Sequence, residues 1–228
     1  MSNTNSPFGF RWWGPKSGGG TYSLIPHKIQ ATYATALYRG DLVKYASNSA
    51  TGYAVQAAAG GAAANVYNIG IFYGVEYLST SQGRRVFSTY WSAGGAGTDH
   101  PTTANGGDGD ALIIPLVGAG GASLFQVQLG NSSSVYAVQA DIGKNVYIYV
   151  GTGSVVGGNA VSGMTIDATS IATGAGSSGV TGLNYPFRIY DLLSNYAPSG
   201  TNGTDNTSAY NQVIVEVNPN IVATAGLY

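Results

Sequence analysis

The side chains with the clearest potential for chemistry are three carboxylates and a histidine in one glycine-rich stretch. Asp99 and His100 lie within residues 92–109, and Asp108 and Asp110 fall at the end of that stretch. The spacing of the last two could bring two carboxylates to one cation. Calcium takes about six to eight oxygen ligands, however, and the spacing of a helix–loop–helix calcium site is missing. Both a solvated acidic loop and a cation site stay open as interpretations, and the solvated loop is favoured.

No arrangement of residues typical of catalysis appears in the sequence. His27 and His100 are the only histidines, so a Ser-His-Asp site would have to use one of them. No Gly-x-Ser-x-Gly motif stands at a strand-to-helix turn. A glycosidase needs two opposed carboxylates, one with a pKa raised by burial, and nothing singles out such a pair among the ten acids. The chain has no cysteine. We therefore expect a protein that is not an enzyme and holds no metal or cofactor.

Arg39-Gly40-Asp41 spells a tripeptide known from integrin ligands. The same three residues also make an ordinary turn before a strand. The turn is the favoured interpretation.

The composition restricts the range of partners. The net charge is −1 and the few basic residues are scattered, which argues against a nucleic-acid-binding face. No apolar run approaches the ~18 residues of a membrane span. Only 8% of residues are charged, against about 25% in ordinary soluble domains. The 44% hydrophobic content nevertheless indicates a folded core rather than disorder. We expect neither a nucleic acid nor a membrane as partner.

Period-two alternation of apolar and polar residues indicates strands along most of the chain. It is clear in Leu42–Ser47, Tyr53–Ala57 and Leu124–Leu129. Ile69–Tyr77 is nearly all apolar, which predicts a strand buried on both faces, and Pro115 predicts an edge strand. Further strands are predicted at 83–91, 111–117, 135–139, 146–150, 164–167, 186–193 and 211–217. With no helical periodicity, the sequence predicts an all-β body: an antiparallel sandwich, a jelly roll or a barrel.

Residues 1–26 are predicted to form an extended N-terminal arm and 27–228 the all-β body, and a further division of the body into 27–95 and 96–228 stays open. An aromatic patch around one arginine marks the arm: Phe8, Phe10, Arg11, Trp12 and Trp13. Glycines and a proline then interrupt regular structure. One interpretation is a first strand whose aromatic side chains fill the protein's own core. The other, which we adopt as the prediction, is that these five residues contact another chain, since tryptophan and arginine concentrate binding energy at interfaces.

Several short patterns resemble small structural proteins of tailed bacteriophages. They run Ala34-Thr-Ala-Leu37, Gly40-Asp-Leu-Val43 and Gly70-x-Phe-x-Gly-Val-x-Tyr77, and Gly9-Phe-Arg11 and Ile25-Pro26 fit the same order. The resemblance is to head decoration, or cement, proteins, which sit on the outer capsid and clamp neighbouring capsomers. It covers roughly the first third of the chain and rests on turn-and-strand patterns. The paired tryptophans depart from the pattern, and the second half carries no motif of the family.

The resemblance implies a non-enzymatic virion protein on the outer capsid surface, assembled in the cytoplasm of a host bacterium. It implies binding to the major capsid protein and self-association, with a homotrimer favoured. The residues themselves leave an alternative open. The 17 tyrosines and three tryptophans could stack on sugar rings, as in a carbohydrate-binding β-sandwich of a phage or bacterial fibre.

Overall fold

A computed structural model of the chain describes residues 3–18, 21–46, 52–59, 68–93, 99–101, 107–118, 121–172, 185–193 and 205–219. Within these ranges nearly all regular structure is β. The helical elements described are a 3₁₀ turn at Gln139–Asp141 and one short helix, α1 (Thr169–Ala172). The predicted all-β class is confirmed. No helix in the described ranges is long and apolar enough to cross a membrane.

The larger sheet has eight strands: β1 (Arg11–Pro15), β10 (Val117–Gly118), β11 (Gly121–Gly130), β12 (Asn145–Val146), β13 (Ile148–Tyr149), β16 (Thr165–Asp167), β17 (Phe187–Leu192) and β18 (Gln212–Val217). The main path runs β12-β17-β18-β11-β16-β13, and β1 and β10 also pair with β11. Pairing is antiparallel except between β11 and β16. The two ends of this path, β12 and β13, are joined by Tyr147 alone. The sheet therefore curls back on itself into a nearly closed, barrel-like form.

The smaller sheet has six strands: β2 (Ile25–Ile29), β4 (Leu42–Tyr45), β5 (Ala54–Gln56), β6 (Asn68–Leu78), β7 (Arg85–Ser88) and β9 (Gly109–Pro115). Its order is β2-β9-β6-β4-β5, with β7 beside β6. Two separate two-stranded sheets complete the set in the described ranges: β3 (Leu37–Tyr38) with β8 (Tyr90–Trp91), and the hairpin of β14 (Ser154–Val156) with β15 (Asn159–Val161).

The smaller sheet is buried on both faces, as the apolar run of β6 predicts. Ile71 and Ile114 face the larger sheet and join the main core with Phe125 and Phe187. Because side chains alternate along a strand, Phe72 lies on the other face. There it joins a second core with other residues: Ile29, Leu37, Val43, Ala54, Val75, Trp91, Ala111 and Ile113. Strand β6 therefore separates the two cores.

Two strand predictions are wrong, each for a local reason. Pro115 was expected to mark an edge strand, but β9 lies between β2 and β6. Strand β2 pairs with β9 only as far as Ile113, whereas Pro115 pairs with β6 alone. The proline lacks an N–H, but no β2 residue lies opposite it to accept one. Residues 135–139 form no strand. The side chain of Asn211 instead brackets Ala137, accepting from its N–H at 3.1 Å and donating to its carbonyl at 2.9 Å.

The N-terminal segment, defined here as residues 3–18, lies along the body instead of projecting from it. The side-chain amide of Asn3 donates to three backbone carbonyls in residues 205–209. The backbone N–H of Ser6 donates to Gln128, and β1 then pairs along β11. The predicted arm is extended, but the structure places it against its own sheet. Nor do the sheets divide the chain at residue 95, because β1 belongs to the larger sheet and β9 to the smaller.

Candidate functional site: an aromatic cleft with two arginines

A cleft of about 470 Å³ lies between the N-terminal segment, the centre of β6 and strand β15. The N-terminal segment contributes Phe8, Arg11 and Trp12 to its lining. The turn that precedes β4 contributes Arg39, and β6 contributes Tyr73. Buried core residues line the cleft as well. The cleft therefore combines residues that are far apart in the chain.

Both guanidinium groups of the cleft lie over aromatic rings. The guanidinium carbon of Arg11 is 4.3 Å from the ring centroid of Phe8, and that of Arg39 is 4.3 Å from the ring centroid of Tyr73. Within the described ranges neither guanidinium has an ion-pair or hydrogen-bond partner. None of the lining residues that the structure describes is acidic. The cleft is thus a positively charged site whose N–H donors are held in place but not satisfied by the residues described.

Two further aromatic contacts continue the wall of the cleft. The rings of Trp12 and Tyr22 meet edge to face at 5.2 Å, and those of Tyr22 and Tyr73 lie 5.9 Å apart. Burial, with a hydrogen bond to Tyr73, raises the pKa of Tyr22. The tyrosine stays neutral at ordinary pH, so it does not offset the arginine charge.

A β-bulge places Tyr73 in this position. The register of β6 against β9 shifts between Phe72 and Gly74, which leaves Tyr73 as the extra residue. A Cβ on Gly74 would lie 2.5 Å from the ring of Phe87, so the glycine permits close packing beside the bulge. Glycine inside a strand often marks a bulge or a close backbone approach, and Gly74 is such a glycine. Gly70 lies in a similar close approach, against the carbonyl of Ile114.

The five predicted contact residues fall into three environments. Phe10 is buried and stacks on Phe187 with ring centroids 4.8 Å apart, so it belongs to the protein's own core. Phe8, Arg11 and Trp12 line the cleft. Trp13 lies outside the cleft, and 53% of it is exposed. Contact with another chain stays a prediction, and for Phe10 the core interpretation explains its burial.

Two of the candidate cation ligands cap backbone groups in different places. The carboxylate of Asp99 accepts from the N–H of Ser81 at 3.0 Å, and hydrogen bonds from the hydroxyl and N–H of Ser81 hold its pKa below the usual range. Asp108 accepts from the N–H of Ala31 and from the hydroxyl of Tyr53, both at 2.9 Å. Each carboxylate is engaged within the protein.

The other two candidates also have separate partners. Asp110 pairs with Lys28 at 2.5 Å and with Arg85. Burial raises the pKa of Asp110, but hydrogen bonds from these two cations outweigh it, and the pKa lies below its usual range. His100 stacks on Trp91 with ring centroids 3.9 Å apart. In the described part of the chain no three His, Cys, Asp or Glu residues cluster as metal ligands. Residues 94–98 and 102–106 of the predicted loop lie outside the described ranges.

The Arg39-Gly40-Asp41 tripeptide is a turn, as favoured from the sequence. Asp41 is only 1% exposed and accepts hydrogen bonds from the N–H of Tyr38 and the amide of Gln56, both at 3.0 Å. Burial raises the pKa of the Asp41 carboxyl. A receptor cannot reach this carboxylate, whereas Arg39 remains on the surface of the cleft.

Sequence analysis singled out some of the cleft residues, as contacts to another chain, and missed others. Phe8, Arg11 and Trp12 stood out as a cluster in the chain, whereas Arg39 and Tyr73 did not. The available signals were an arginine in a turn and an aromatic residue beside an interior glycine. Neither signal indicates that the two residues meet the N-terminal segment.

Comparison with known proteins adds no relative to this description. No family model matches the chain, and no curated protein and no solved structure matches it either. The function must therefore be argued from the geometry and from the sequence patterns.

Proposed function

We propose that this chain is a non-enzymatic structural protein of a tailed-phage head, which decorates the outside of the capsid and bridges neighbouring capsomers. It binds the major capsid protein through its N-terminal segment. It acts as a homo-oligomer, for which a trimer is the favoured state. No chemical step is involved, so its effect is to stabilise the particle mechanically.

Three of the patterns that resemble decoration proteins support this proposal, because they meet at one place in the fold. The N–H of Gly40 donates to the carbonyl of Phe72 at 2.9 Å, and the N–H of Phe72 donates to the carbonyl of Asp41 at 2.8 Å. The N–H of Phe10 donates to the carbonyl of Gly40 at 2.9 Å. The turn before β4 is thus hydrogen-bonded both to the centre of β6 and to the N-terminal segment.

The observation that carries the proposal is the position of Trp13. The register of β1 against β11 shifts between Trp12 and Gly14, so Trp13 is the extra residue of a bulge. Bulges often re-aim a side chain at a sheet edge. Among the described strands β1 pairs only with β11, which leaves its other edge available to a partner strand. A large exposed tryptophan on an open edge strand is the kind of residue that anchors an interface.

Docking is tested on heads assembled without this chain, from the major capsid protein encoded with it. Purified protein is added over a concentration series, and co-sedimentation gives the affinity. Trp13→Ala should weaken binding by about 2 kcal/mol, roughly 30-fold. Phe87→Ala is the matched control, because Phe87 is 50% exposed but lies in the smaller sheet. Its affinity should stay within about twofold of the wild type.

Each outcome bears on a different part of the proposal. Failure of the wild type to bind heads would reject capsid decoration. Saturable binding that Trp13→Ala leaves unchanged would reject docking through β1. Equal losses in both variants would mean that any exposed aromatic residue contributes, and Trp13 would have no special role.

Self-association is tested separately. The β14–β15 hairpin turns at two glycines of positive φ and exposes Val155 and Val156 at its end. Exposed apolar groups of this kind often mark interfaces. Sedimentation at micromolar concentration should show an oligomer, and replacing both valines by serine should shift it toward monomer while the unfolding midpoint is retained. A wild-type chain that sediments as a clean monomer would contradict the homo-oligomer.

A further inference from the structure

We propose that the aromatic cleft binds an acidic saccharide, a sugar ring of the uronic-acid type whose carboxylate is held by the guanidinium groups of Arg11 and Arg39. The ring itself would lie against the aromatic wall formed by Trp12 and Tyr22. This site is separate from docking through Trp13, which does not line the cleft. It also specifies the glycan-binding alternative that the aromatic content of the chain suggested.

The charge in the cleft is the first argument. Arg11 and Arg39 both line a cleft whose described lining holds no acidic residue, in a chain whose net charge is −1. A guanidinium presents five N–H donors in a planar fork that matches a carboxylate. Neither fork is paired with another described residue. Two unpaired cations facing one space favour an anionic ligand.

The way the arginines are held is the second argument. Phe8 lies under Arg11 and Tyr73 under Arg39, so one face of each guanidinium is covered by a ring. Stacking restricts the motion of the side chain but leaves the N–H groups at its edge free. An oriented donor loses less conformational entropy when a carboxylate arrives. The donors are therefore preorganised for a ligand.

The aromatic wall and the size of the cleft define the rest of the ligand. Small-molecule sites commonly measure about 300–1,000 Å³ and combine apolar or aromatic walls with a few polar groups. At about 470 Å³ this cleft falls within that range. Trp12 and Tyr22 offer ring surface with a polar tip, which suits the mixed apolar and hydroxylated faces of a sugar. Asn159 and Thr89 add neutral groups that can hydrogen-bond hydroxyls.

Other ligand classes fit less well. A neutral sugar would leave both guanidinium groups unpaired. A nucleic acid needs a path of many cations along its backbone, and the cleft has two. Inorganic phosphate would satisfy the arginines but leave the aromatic wall unused. The acidic saccharide uses both the charge and the wall.

The test compares two ligands that differ only at C6 of each sugar ring. Trigalacturonic acid carries carboxylates where galactotriose carries hydroxymethyl groups, and calorimetric titration of the full chain gives both affinities. The acidic trisaccharide should bind at least about tenfold more tightly, and its affinity should fall as salt is raised. Inorganic phosphate serves as an anion control and should displace the trisaccharide only at large excess.

Matched variants then locate the site. Arg11→Gln and Arg39→Gln each remove one charge from the cleft, and each should weaken binding about tenfold or more. Arg84→Gln removes the same charge from an exposed turn outside the cleft and should stay within about twofold of the wild type. All three residues are exposed, so the thermal unfolding midpoints should be unchanged.

Three results would overturn the inference. The first is a wild-type chain that binds the two trisaccharides equally or binds neither. The second is an Arg84→Gln variant that loses as much affinity as the cleft variants. The third is displacement by phosphate at equal concentration, which would reassign the cleft to small anions. None of these results depends on whether Trp13 docks on capsids.

Discussion

The backbone N–H of Phe10 donates a 2.9 Å hydrogen bond to the carbonyl oxygen of Gly40, and this contact seats the N-terminal segment on the body. Two glycines make the approach feasible. Gly9 has φ +71°, and a Cβ there would lie 2.5 Å from the Cβ of Ser162 and 2.7 Å from the carbonyl oxygen of Gly40. Gly40 has φ +98°. Only a residue without a side chain satisfies both the left-handed backbone and the space.

Gly9→Ala should therefore destabilise the protein by about 2 kcal/mol or more, since it adds a clash to the cost of positive φ. Gly18→Ala is the matched control. Gly18 has φ +76°, but a Cβ there meets no atom within 4 Å. Gly18→Ala should therefore lower the free energy of unfolding by about 1 kcal/mol. Denaturant unfolding measures both. Equal losses would show that the backbone angle alone matters and that the contact with Gly40 does not.

Phe10 and Trp13 should respond in opposite ways to truncation. Phe10→Ala removes a buried ring that stacks on Phe187, and it should lower the free energy of unfolding by about 3–5 kcal/mol. Trp13→Ala should change it by about 0.5 kcal/mol or less, because the side chain is largely exposed. Thermal or denaturant unfolding distinguishes the two.

The same reasoning revises what deletion of residues 1–20 should do. The predicted division into an arm (1–26) and a separate body (27–228) implies that the body would still fold after this deletion. With Phe10 in the main core and β1 paired to β11, we expect a body of reduced stability instead. Full stability after the deletion would contradict the packing of Phe10 in this structure.

Lys16 and Glu216 form the ion pair that fastens the end of β1 to β18. The Nζ of Lys16 lies 2.7 Å from Oε2 of Glu216, whose side chain is only 4% exposed while that of Lys16 is 45% exposed. Lys16→Met would leave the buried carboxylate without its cation, and we expect a loss of about 1–3 kcal/mol after allowance for solvent screening. Lys28→Met is the control, because Asp110 would keep Arg85. A loss in the control as large as in Lys16→Met would show that burial of Glu216 does not decide the cost.

Asp41 should give the protein an unusual pH dependence. Its pKa is raised by burial, so between the unfolded value of about 3.9 and the higher folded value the folded state binds more protons than the unfolded state. The contribution of Asp41 to the free energy of unfolding therefore falls as pH rises through this window and is constant above the folded pKa. The Asp41→Asn variant should lack this slope. Subtracting its profile of unfolding free energy against pH from that of the wild type should therefore show the contribution of Asp41.

Asp99 provides the opposite control. Its pKa is lowered, so its stabilising contribution is present above the unfolded pKa and is lost as pH falls through the folded pKa. The difference profile of Asp99→Asn should slope in the other direction. Identical difference profiles for the two variants would contradict the burial of Asp41.

Most strands of the described structure were predictable because their signal is local. Alternation in Leu124–Leu129 and the apolar run of Ile69–Tyr77 indicate which faces of these strands are buried. Such a pattern is complete within a few residues of the sequence. Predictions failed where a distant side chain replaced a strand partner, as Asn211 does for Ala137. They also failed at Pro115, where the length of a neighbouring strand decides what a proline can do.

The sequence by itself determined the all-β class, the aromatic N-terminal cluster and the absence of cysteine chemistry, because composition and period-two patterning are properties of the chain alone. The tertiary structure decided that Phe10 enters the core, that Trp13 stays outside, and that Arg11, Arg39 and Tyr73 line one cleft. These outcomes depend on strand register, on two bulges and on a glycine–glycine contact between residues far apart in sequence. Long-range packing of this kind leaves no periodic trace in the sequence, so only the folded chain reveals it.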